Sequence, residues 1–313
     1  MTRSFSLLAI GSLASTALSH SFVSYVDVEG AHYNGYDPRP GAGNRGNRVV
    51  WSYNAPDQGW VNGSHYTTPD IACHRDAESA PAHAVIRAGQ TVGVHWNGWP
   101  RIHKGPVLSY LAPCTGTSDG CSSVDKSQLK WTMIDDSAPV LISPDPSSDN
   151  GTWSSDYLTG VDASWQPTTY SNNTWQVRVP AGLQPGPYVL RNEIIALHYG
   201  VVPEEGGAQH YPVCINLFVV EPEGNTTPPP FGLVGVANGD LYEVGHPGLF
   251  YDIAARPMAE YVIPGPGIAA GATPVRYDLQ HNSTIVEEGV PVRVEGTATV
   301  PLLVKRTAAA FAA

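Results

Sequence analysis

The chain has 313 residues, a formal net charge of -11, and charged residues at only 14% of its positions. Nucleic-acid-binding domains need a basic face, so this acidic composition argues against a nucleic-acid partner. No apolar run after residue 20 approaches the roughly 20 residues that span a bilayer, so no membrane partner is expected.

Residues 1–19 have the pattern of a secretory signal peptide. Arg3 supplies a positive start, an apolar stretch follows, and Ala17-Leu18-Ser19 places small residues where a signal peptidase reads. Cleavage after Ser19 would leave His20 as the mature N-terminus, whereas cleavage after Ala17 would not. An N-terminal histidine offers its α-amine and its ring Nδ1, which together can chelate one metal ion. The protein is therefore expected to be secreted, with a candidate metal ligand at His20.

The rest of the chain is predicted to form an all-β fold. Its 32 glycines and 28 prolines disfavour long helices and separate short stretches of alternating apolar and polar residues. The predicted strands are 91–96, 175–179, 188–197 and 215–220. Many short strands between Pro/Gly turns are typical of an antiparallel β-sandwich of the immunoglobulin or fibronectin type, with few short helices. Segments 30–70 and 135–170 are expected to be long surface loops.

The four cysteines of a secreted chain are expected to form disulfides, for which three pairings exist. Cys114 and Cys121 flank a loop rich in Gly, Ser and Thr, which favours a local pair and leaves Cys73 for Cys214. Neither pair has the spacing of a zinc site. Candidate N-glycosylation sites follow the Asn-x-Ser/Thr pattern and are Asn62, Asn150, Asn172, Asn225 and Asn282.

The folded domain is predicted to span residues 20–266 and to end near Pro264-Gly265-Pro266. Residues 267–313 are rich in Ala, Gly, Val and Thr and contain neither cysteine nor tryptophan. This composition predicts a low-complexity, disordered C-terminal tail. Its last apolar stretch is too short for a lipid-anchor signal.

Three further residues are candidates for chemistry because of their context. His103 follows strand 91–96 on a loop with Gly and Pro on both sides, so it is expected to project from a rigid turn. Tyr211 lies three residues before Cys214, which would fix its position, and His198 ends strand 188–197. Taken singly, each also has an ordinary interpretation, as a surface, packing or strand-end residue.

Several separated motifs accompany these residues, and their order and spacing are more specific than any one of them. They are His20 after the signal, Thr68-Pro69-Asp70-Ile71-Ala72-Cys73-His74, His103-Lys104-Gly105-Pro106-Val107, Leu190-Arg191-Asn192-Glu193-Ile194-Ile195-Ala196-Leu197-His198, Gln209-His210-Tyr211-Pro212-Val213-Cys214 and Tyr261-Val262-Ile263-Pro264-Gly265-Pro266. With these motifs the chain resembles the fungal lytic polysaccharide monooxygenases of auxiliary activity family nine. Those are copper enzymes that act on cellulose and related glucans.

The resemblance implies one copper ion per chain. It implies that the amine and ring of His20 and the ring of His103 bind the ion, with Tyr211 in the axial position. Three nitrogen donors and a weak axial oxygen suit tetragonal Cu(II). His198 and Gln209 are implied to be the catalytic pair, alongside Tyr211, that hydrogen-bonds oxygen species near the metal. The family's two disulfides imply the same cysteine pairing as the loop argument.

The implied activity is oxidative cleavage of glycosidic bonds at C1, at C4 or at both, with O2 or H2O2 as the oxidant. It requires an external electron donor, such as a small reductant or cellobiose dehydrogenase. The implied enzyme is a secreted, extracellular monomer that acts on cellulose or a related β-glucan. The C-terminal tail lacks the cysteines and aromatic residues of a small fungal cellulose-binding module.

Two departures from the family pattern concern the substrate surface. Relatives commonly read Pro-Gly-Ile-x-x-Asn-Ile-Tyr, whereas the corresponding segment of this chain ends at Ala254, and loop 41–47 has no tyrosine. Loss of two aromatic platforms predicts weaker binding to crystalline cellulose, or preference for a softer glucan or a hemicellulose. The residues that would either compensate or merely pack are Tyr33, Tyr36, His246 and Tyr251.

Two other classes of function stay open at this point. A glycoside hydrolase needs two carboxylates about 5–10 Å apart. Neighbours such as Asp135-Asp136 and Glu204-Glu205 would point to opposite faces of a strand, which argues against that use. The second class is a non-catalytic secreted copper- or carbohydrate-binding protein, in which residues such as His198 and Gln209 would have no oxygen to handle.

Overall fold

A computed structural model of the chain describes residues 21–44, 46–136, 153–159, 173–202, 207–224, 227–255, 260–276, 279–280 and 284–295. The predicted signal peptide and His20 lie outside these ranges, as do Asn150, Asn172, Asn225, Asn282 and Glu204-Glu205. No helix within these ranges has the length and the apolar character that a membrane span requires.

Short strands and very short helices make up the described part of the chain. The strands are β1 (Val23–Val28), β2 (Ala31–Asn34), β3 (Ala84–Arg87), β4 (Thr91–Trp96), β5 (Val107–Pro113), β6 (Thr132–Asp135), β7 (Thr174–Arg178), β8 (Gly186–Ala196), β9 (Gln209–Val220) and β10 (Glu287–Glu288). The α-helix is α1 (Asp70–Cys73), and 3-10 turns occur at Gly63–His65, Lys126–Gln128, Ser154–Leu158 and Asn238–Asp240.

The strands form two five-stranded sheets. Sheet A has the order β10-β2-β1-β4-β7, and sheet B has the order β3-β9-β8-β5-β6. Neighbouring strands are antiparallel except at one edge of each sheet, where β10 pairs with β2 and β3 pairs with β9 in parallel. The predicted all-β sandwich is confirmed, and the two parallel edge pairs are features that the turn pattern did not indicate.

The hydrophobic core lies between the sheets, and two buried indoles join one sheet to the other. Trp96 of β4 donates its Nε1–H to Asn192 Oδ1 of β8 at 3.3 Å. Trp175 of β7 donates its Nε1–H to Asp135 Oδ2 of β6 at 3.0 Å. Asp135, which was considered for hydrolysis, is therefore a buried acceptor that holds the two layers together.

Two disulfides form in the predicted pairing. The long-range disulfide joins Cys73, at the end of α1, to Cys214 of β9 across a sequence separation of 141. The loop disulfide joins Cys114 to Cys121 across a separation of 7. The long-range disulfide fixes α1 against the face of sheet B that points away from sheet A.

A buried polar cluster lies on that same outer face of sheet B, and we call it the Arg191 network. Arg191 Nη1 donates to Glu193 Oε2 at 2.8 Å, and both side chains are fully buried. Glu193 also accepts from His210 Nδ1 at 2.9 Å and from the hydroxyl of Tyr242. Buried charges are tolerated only when they are paired and hydrogen-bonded, and this cluster meets both conditions.

Three described parts of the chain beyond Pro266 contact the sandwich, although most described residues of this segment are exposed, and the predicted disorder does not hold for those three contacts. β10 extends the edge of sheet A, and Gln280 is buried, where it accepts from Gln176 N at 2.7 Å and donates to Gln176 O at 3.1 Å. Val292 pairs with His83, next to the edge of sheet B. These contacts use main-chain and amide groups, which a composition rich in Ala and Gly does not reveal. The predicted boundaries at residues 19 and 266 remain predictions.

Candidate metal centre

The segment that carries His103 is held against the end of β8 by its main chain. Lys104 O accepts from Leu197 N at 2.8 Å, and Pro106 O accepts from Ile195 N at 3.0 Å. These two bonds extend the β5–β8 pairing to residues that precede the start of β5. The segment 103–106 therefore has one fixed alignment along β8.

This alignment brings His103 and His198 together. Their ring centroids lie 3.8 Å apart with planes tilted by 39°. The close approach requires glycine at position 105, because a Cβ there would stand 1.8 Å from the carbonyl oxygen of Ile195. The Gly of the His-Lys-Gly-Pro-Val motif thus exists to let the backbone carrying His103 reach β8.

Trp99 orders both His103 and Tyr211. Its Nε1–H donates to the His103 carbonyl at 2.8 Å. Its ring contacts His103 and Tyr211 edge-on, with centroids 6.0 and 4.9 Å away. Sequence reasoning gave Trp99 no role, although its place four residues before His103, next to a proline turn, was a usable signal.

Tyr211 and Gln209 share one face of β9 because residues two apart in a strand point the same way. The Tyr211 hydroxyl donates to Gln209 Oε1 at 3.0 Å, and both side chains are buried. Burial, and secondarily the charge of Asp57, raises the pKa of Tyr211 far above its usual value. The phenol is therefore neutral, as a weak oxygen ligand to a metal should be.

One ring nitrogen of His198 points to a ligand that is not part of the described chain. Burial lowers the pKa of His198 to about 4, so its ring is neutral at pH 7. Its Nδ1 is buried and has no hydrogen-bond partner among the described residues. Such a nitrogen costs about 1–3 kcal/mol when left unpaired, which points to a ligand at this place. A neutral imidazole and a neutral phenol are donors that suit copper, so the residues present fit that metal.

The chain enters the sandwich at this same end. Ser21 Oγ and Phe22 N both donate to Asn97 Oδ1, at 2.7 and 3.0 Å, and Asn97 N donates to Phe22 O at 2.9 Å. Asn97 begins the loop that continues to His103. The residue that follows His20 is thus fixed beside the loop that carries the other predicted histidine ligand.

Two tyrosines predicted as substrate platforms are buried, and that prediction is wrong. Tyr33 exposes 4% of its surface because its ring lies beneath Gly289, where a Cβ would stand 2.5 Å from the ring. Tyr251 exposes 2% and packs edge-on against Trp153 and Tyr261, with centroids 6.2 and 5.1 Å away. Neither ring can present a face to a polysaccharide.

The other two substrate candidates are half-buried. Tyr36 packs on Tyr53 with ring centroids 5.4 Å apart, and the Arg48 guanidinium lies over its ring. His246 Nδ1 accepts from Gly248 N at 3.1 Å. Their roles in substrate binding stay predictions.

Two histidine rings and a buried tyrosine lie together at one end of a two-layer β-sandwich, and this set of donors fits a copper-dependent oxidoreductase. The model of the family described as "Auxiliary Activity family 9 (formerly GH61)" matches residues 20–261, and the chain belongs to this family.

Curated relatives and solved structures agree with this assignment. The chain is 40% identical over 254 residues to AA9 family lytic polysaccharide monooxygenase A of Thermoascus aurantiacus, covering 80% of this chain and 100% of the relative. It is 39% identical over 273 residues to the monooxygenase A of Malbranchea cinnamomea, covering 87% of this chain and 74% of the relative. The extended catalytic domain of H. jecorina LPMO9A superposes with a TM-score of 0.70 at 35% identity, covering 88% of this chain and 100% of that domain.

The family determines the general chemistry of this chain. It is a copper-dependent lytic polysaccharide monooxygenase, and its family cleaves polysaccharides oxidatively with an external reductant. The resemblance found in the sequence motifs is confirmed.

Proposed function

We propose that the mature chain oxidises C1, C4 or both at the glycosidic bonds of cellulose or a related β-glucan. The observation that best supports a working centre is the convergence of His103, His198 and Tyr211 where Ser21 enters the sandwich. The chain is proposed to be secreted and to act as a monomer, with Asn62 as a glycosylation site. Asn62 Oδ1 accepts from Ser64 N at 3.1 Å, within its sequon.

One copper ion would be held by the amine and ring of His20, the ring of His103 and the hydroxyl of Tyr211. His20 is covalently bonded to Ser21, and Asn97 holds Ser21 at this end of the sandwich. Bound copper supplies one-electron redox chemistry towards O2 or H2O2, which no side chain in this set provides. The protein contributes fixed ligand positions and neutral donors.

The neighbouring side chains position the oxidant through hydrogen bonds. His198 is neutral and its Nδ1 has no hydrogen-bond partner within the described ranges, so its ring can hydrogen-bond an oxygen species close to His103. Gln209 is oriented by the Tyr211 hydroxyl, which occupies its Oε1. These contacts hold the oxidant in place rather than transferring electrons.

The overall reaction balances with an external donor. Insertion of one oxygen atom from O2 into a C–H bond consumes two electrons and two protons and releases one water. With H2O2 as the oxidant, no further electrons are needed in each turnover. The hydroxylated carbon then expels the neighbouring sugar. A small reductant or cellobiose dehydrogenase is the proposed donor.

Mass spectrometry of products tests this function. Copper-loaded mature protein is incubated with phosphoric-acid-swollen cellulose, with and without ascorbate. Ascorbate-dependent oligosaccharides with aldonic-acid masses would indicate C1 oxidation, and 4-keto masses would indicate C4 oxidation. Unoxidised sugars released without ascorbate would indicate a hydrolase instead. Tight copper binding without any product would favour the non-catalytic binding protein.

A further inference from the structure

Exposed apolar side chains border the candidate metal centre. Tyr199 exposes 39% of its surface, Phe250 exposes 44% and Ile102 exposes 68%. Ile102 directly precedes His103, and Tyr199 directly follows His198. Exposed apolar groups gathered beside a reaction centre mark a binding surface, whereas isolated ones need no explanation.

The Tyr199 ring is fixed close to the histidine pair. Its centroid lies 4.4 Å from that of His198, with planes 44° apart, and His198 lies 3.8 Å from His103. Val202 N donates to Tyr199 O at 3.0 Å, which closes the turn that carries the ring. The His198 ring thus lies between the Tyr199 ring and His103, a predicted copper ligand.

Phe250 lies on the loop that packs against this turn. A Cβ at Gly200 would stand 2.8 Å from the carbonyl oxygen of Tyr251, so the two backbones are in contact. Tyr251 turns inwards and is buried, while the preceding Phe250 remains exposed. Because Gly200 follows Tyr199, the two exposed rings occupy adjacent loops.

We propose that Tyr199, Phe250 and Ile102, which we call the Tyr199 platform, dock a neutral β-glucan chain across the metal centre. This rests on the proposed function, because the platform is useful only if a glucan reacts at His103. The three side chains carry no charge and offer flat or apolar surface, which suits the C–H faces of uncharged sugar rings.

Binding without turnover tests the platform directly. The copper-loaded mature chain is titrated onto phosphoric-acid-swollen cellulose without reductant, which prevents turnover, and the bound fraction is measured by depletion. Tyr199→Ala and Phe250→Ala should each weaken binding about tenfold, which corresponds to ~1.4 kcal/mol. Tyr199→Phe keeps the ring and should bind like the wild type.

Val234→Ala is the matched control. Val234 is an exposed apolar residue close to Val236, which pairs with Trp131. This pair lies near the C-terminal end of β5, whereas His103 precedes the N-terminal end of that strand. Its replacement should leave the affinity unchanged, and thermal melts should show that every variant remains folded. Equal weakening by Val234→Ala, or wild-type affinity of both alanine variants, overturns the platform, as does failure of the wild type to bind.

Product analysis of the same variants separates this proposal from the function on which it rests. Ring-dependent binding without oxidised products would support the platform and contradict the proposed reaction. Oxidised products combined with unchanged binding in both alanine variants would support the reaction and overturn the platform.

Discussion

Replacing Arg191 with methionine should lower the free energy of unfolding by about 4 kcal/mol, as expected when one partner of a buried ion pair is removed. Arg191 donates to Ala72 O at 2.7 Å, to Ile71 O at 2.9 Å and to Glu193 Oε2 at 2.8 Å. Its loss leaves two buried carbonyls without this donor and one carboxylate without a cation. Burial raises the pKa of Glu193, but the Arg191 charge and the His210 hydrogen bond outweigh it and lower the pKa, so the carboxylate is charged.

The coupling energy between Arg191 and Glu193 should be large because both side chains are fully buried. Glu193→Gln alone should also cost about 4 kcal/mol, since it leaves the Arg191 cation without its counter-charge. The double variant Arg191→Met with Glu193→Gln contains neither charge. It should therefore cost at least ~2 kcal/mol less than the sum of the two single variants.

Urea unfolding followed by tryptophan fluorescence measures each free energy, and comparable m-values would show that the unfolded states are comparable. Arg191→Lys is the control that keeps the positive charge but lacks the planar fork, so it should fall between the wild type and Arg191→Met. If the double variant loses the full sum of the single effects, the pair is not coupled and the reasoning fails.

Two further predictions concern the tail and the pH dependence of stability. Deleting residues 267–313 should lower the melting temperature measured by calorimetry. The deletion uncovers the Tyr33 ring and removes the hydrogen bonds between Gln280 and Gln176. An unchanged melting temperature would show that this segment does not stabilise the fold. Burial lowers the pKa of His74 to about 3, against an ordinary value of about 6.5. The folded state holds His74 neutral, so the contribution of this residue to the free energy of unfolding is fully present above about pH 6.5. As the pH falls, this contribution decreases, by about 2 kcal/mol at pH 5. His74→Asn should therefore flatten the loss of stability between pH 7 and 5, and an equal slope would contradict the assignment.

Strands bounded by clear turns could be predicted from local pattern alone. The prediction for 91–96 coincides with β4, and 175–179 differs from β7 by one residue at each end. β9 begins at Gln209 rather than 215, because it keeps its pairing with β8 through Pro212. A proline normally argues against a strand in the middle of a sheet. Here the pairing with β8, which is distant in sequence, keeps Pro212 within the strand.

The identities of the site residues were accessible from the motifs, but their geometry was not. His103 and His198 meet because Lys104 and Pro106 bond to the end of β8, which is distant in sequence. Exposure was harder still to predict. Tyr33 pairs with Val26 on the face of sheet A that meets the core, and Gly289, more than 250 residues later in the sequence, covers its ring.

Successive side chains of β9 face opposite sides of sheet B, so the predicted metal-site residues lie on one face and the Arg191 network lies on the other. Gln209 and Tyr211 face the same side as Asn192, towards the other sheet, whereas His210 faces Glu193 and the Arg191 network. The predicted axial ligand is therefore fixed by a strand that is paired on both sides and hydrogen-bonded across its outer face. The Tyr199 platform lies instead on three loops, which carry Ile102, Tyr199 and Phe250. Substitutions at Tyr199 and Phe250 should therefore change the affinity for glucan without moving β9, which carries the predicted axial ligand.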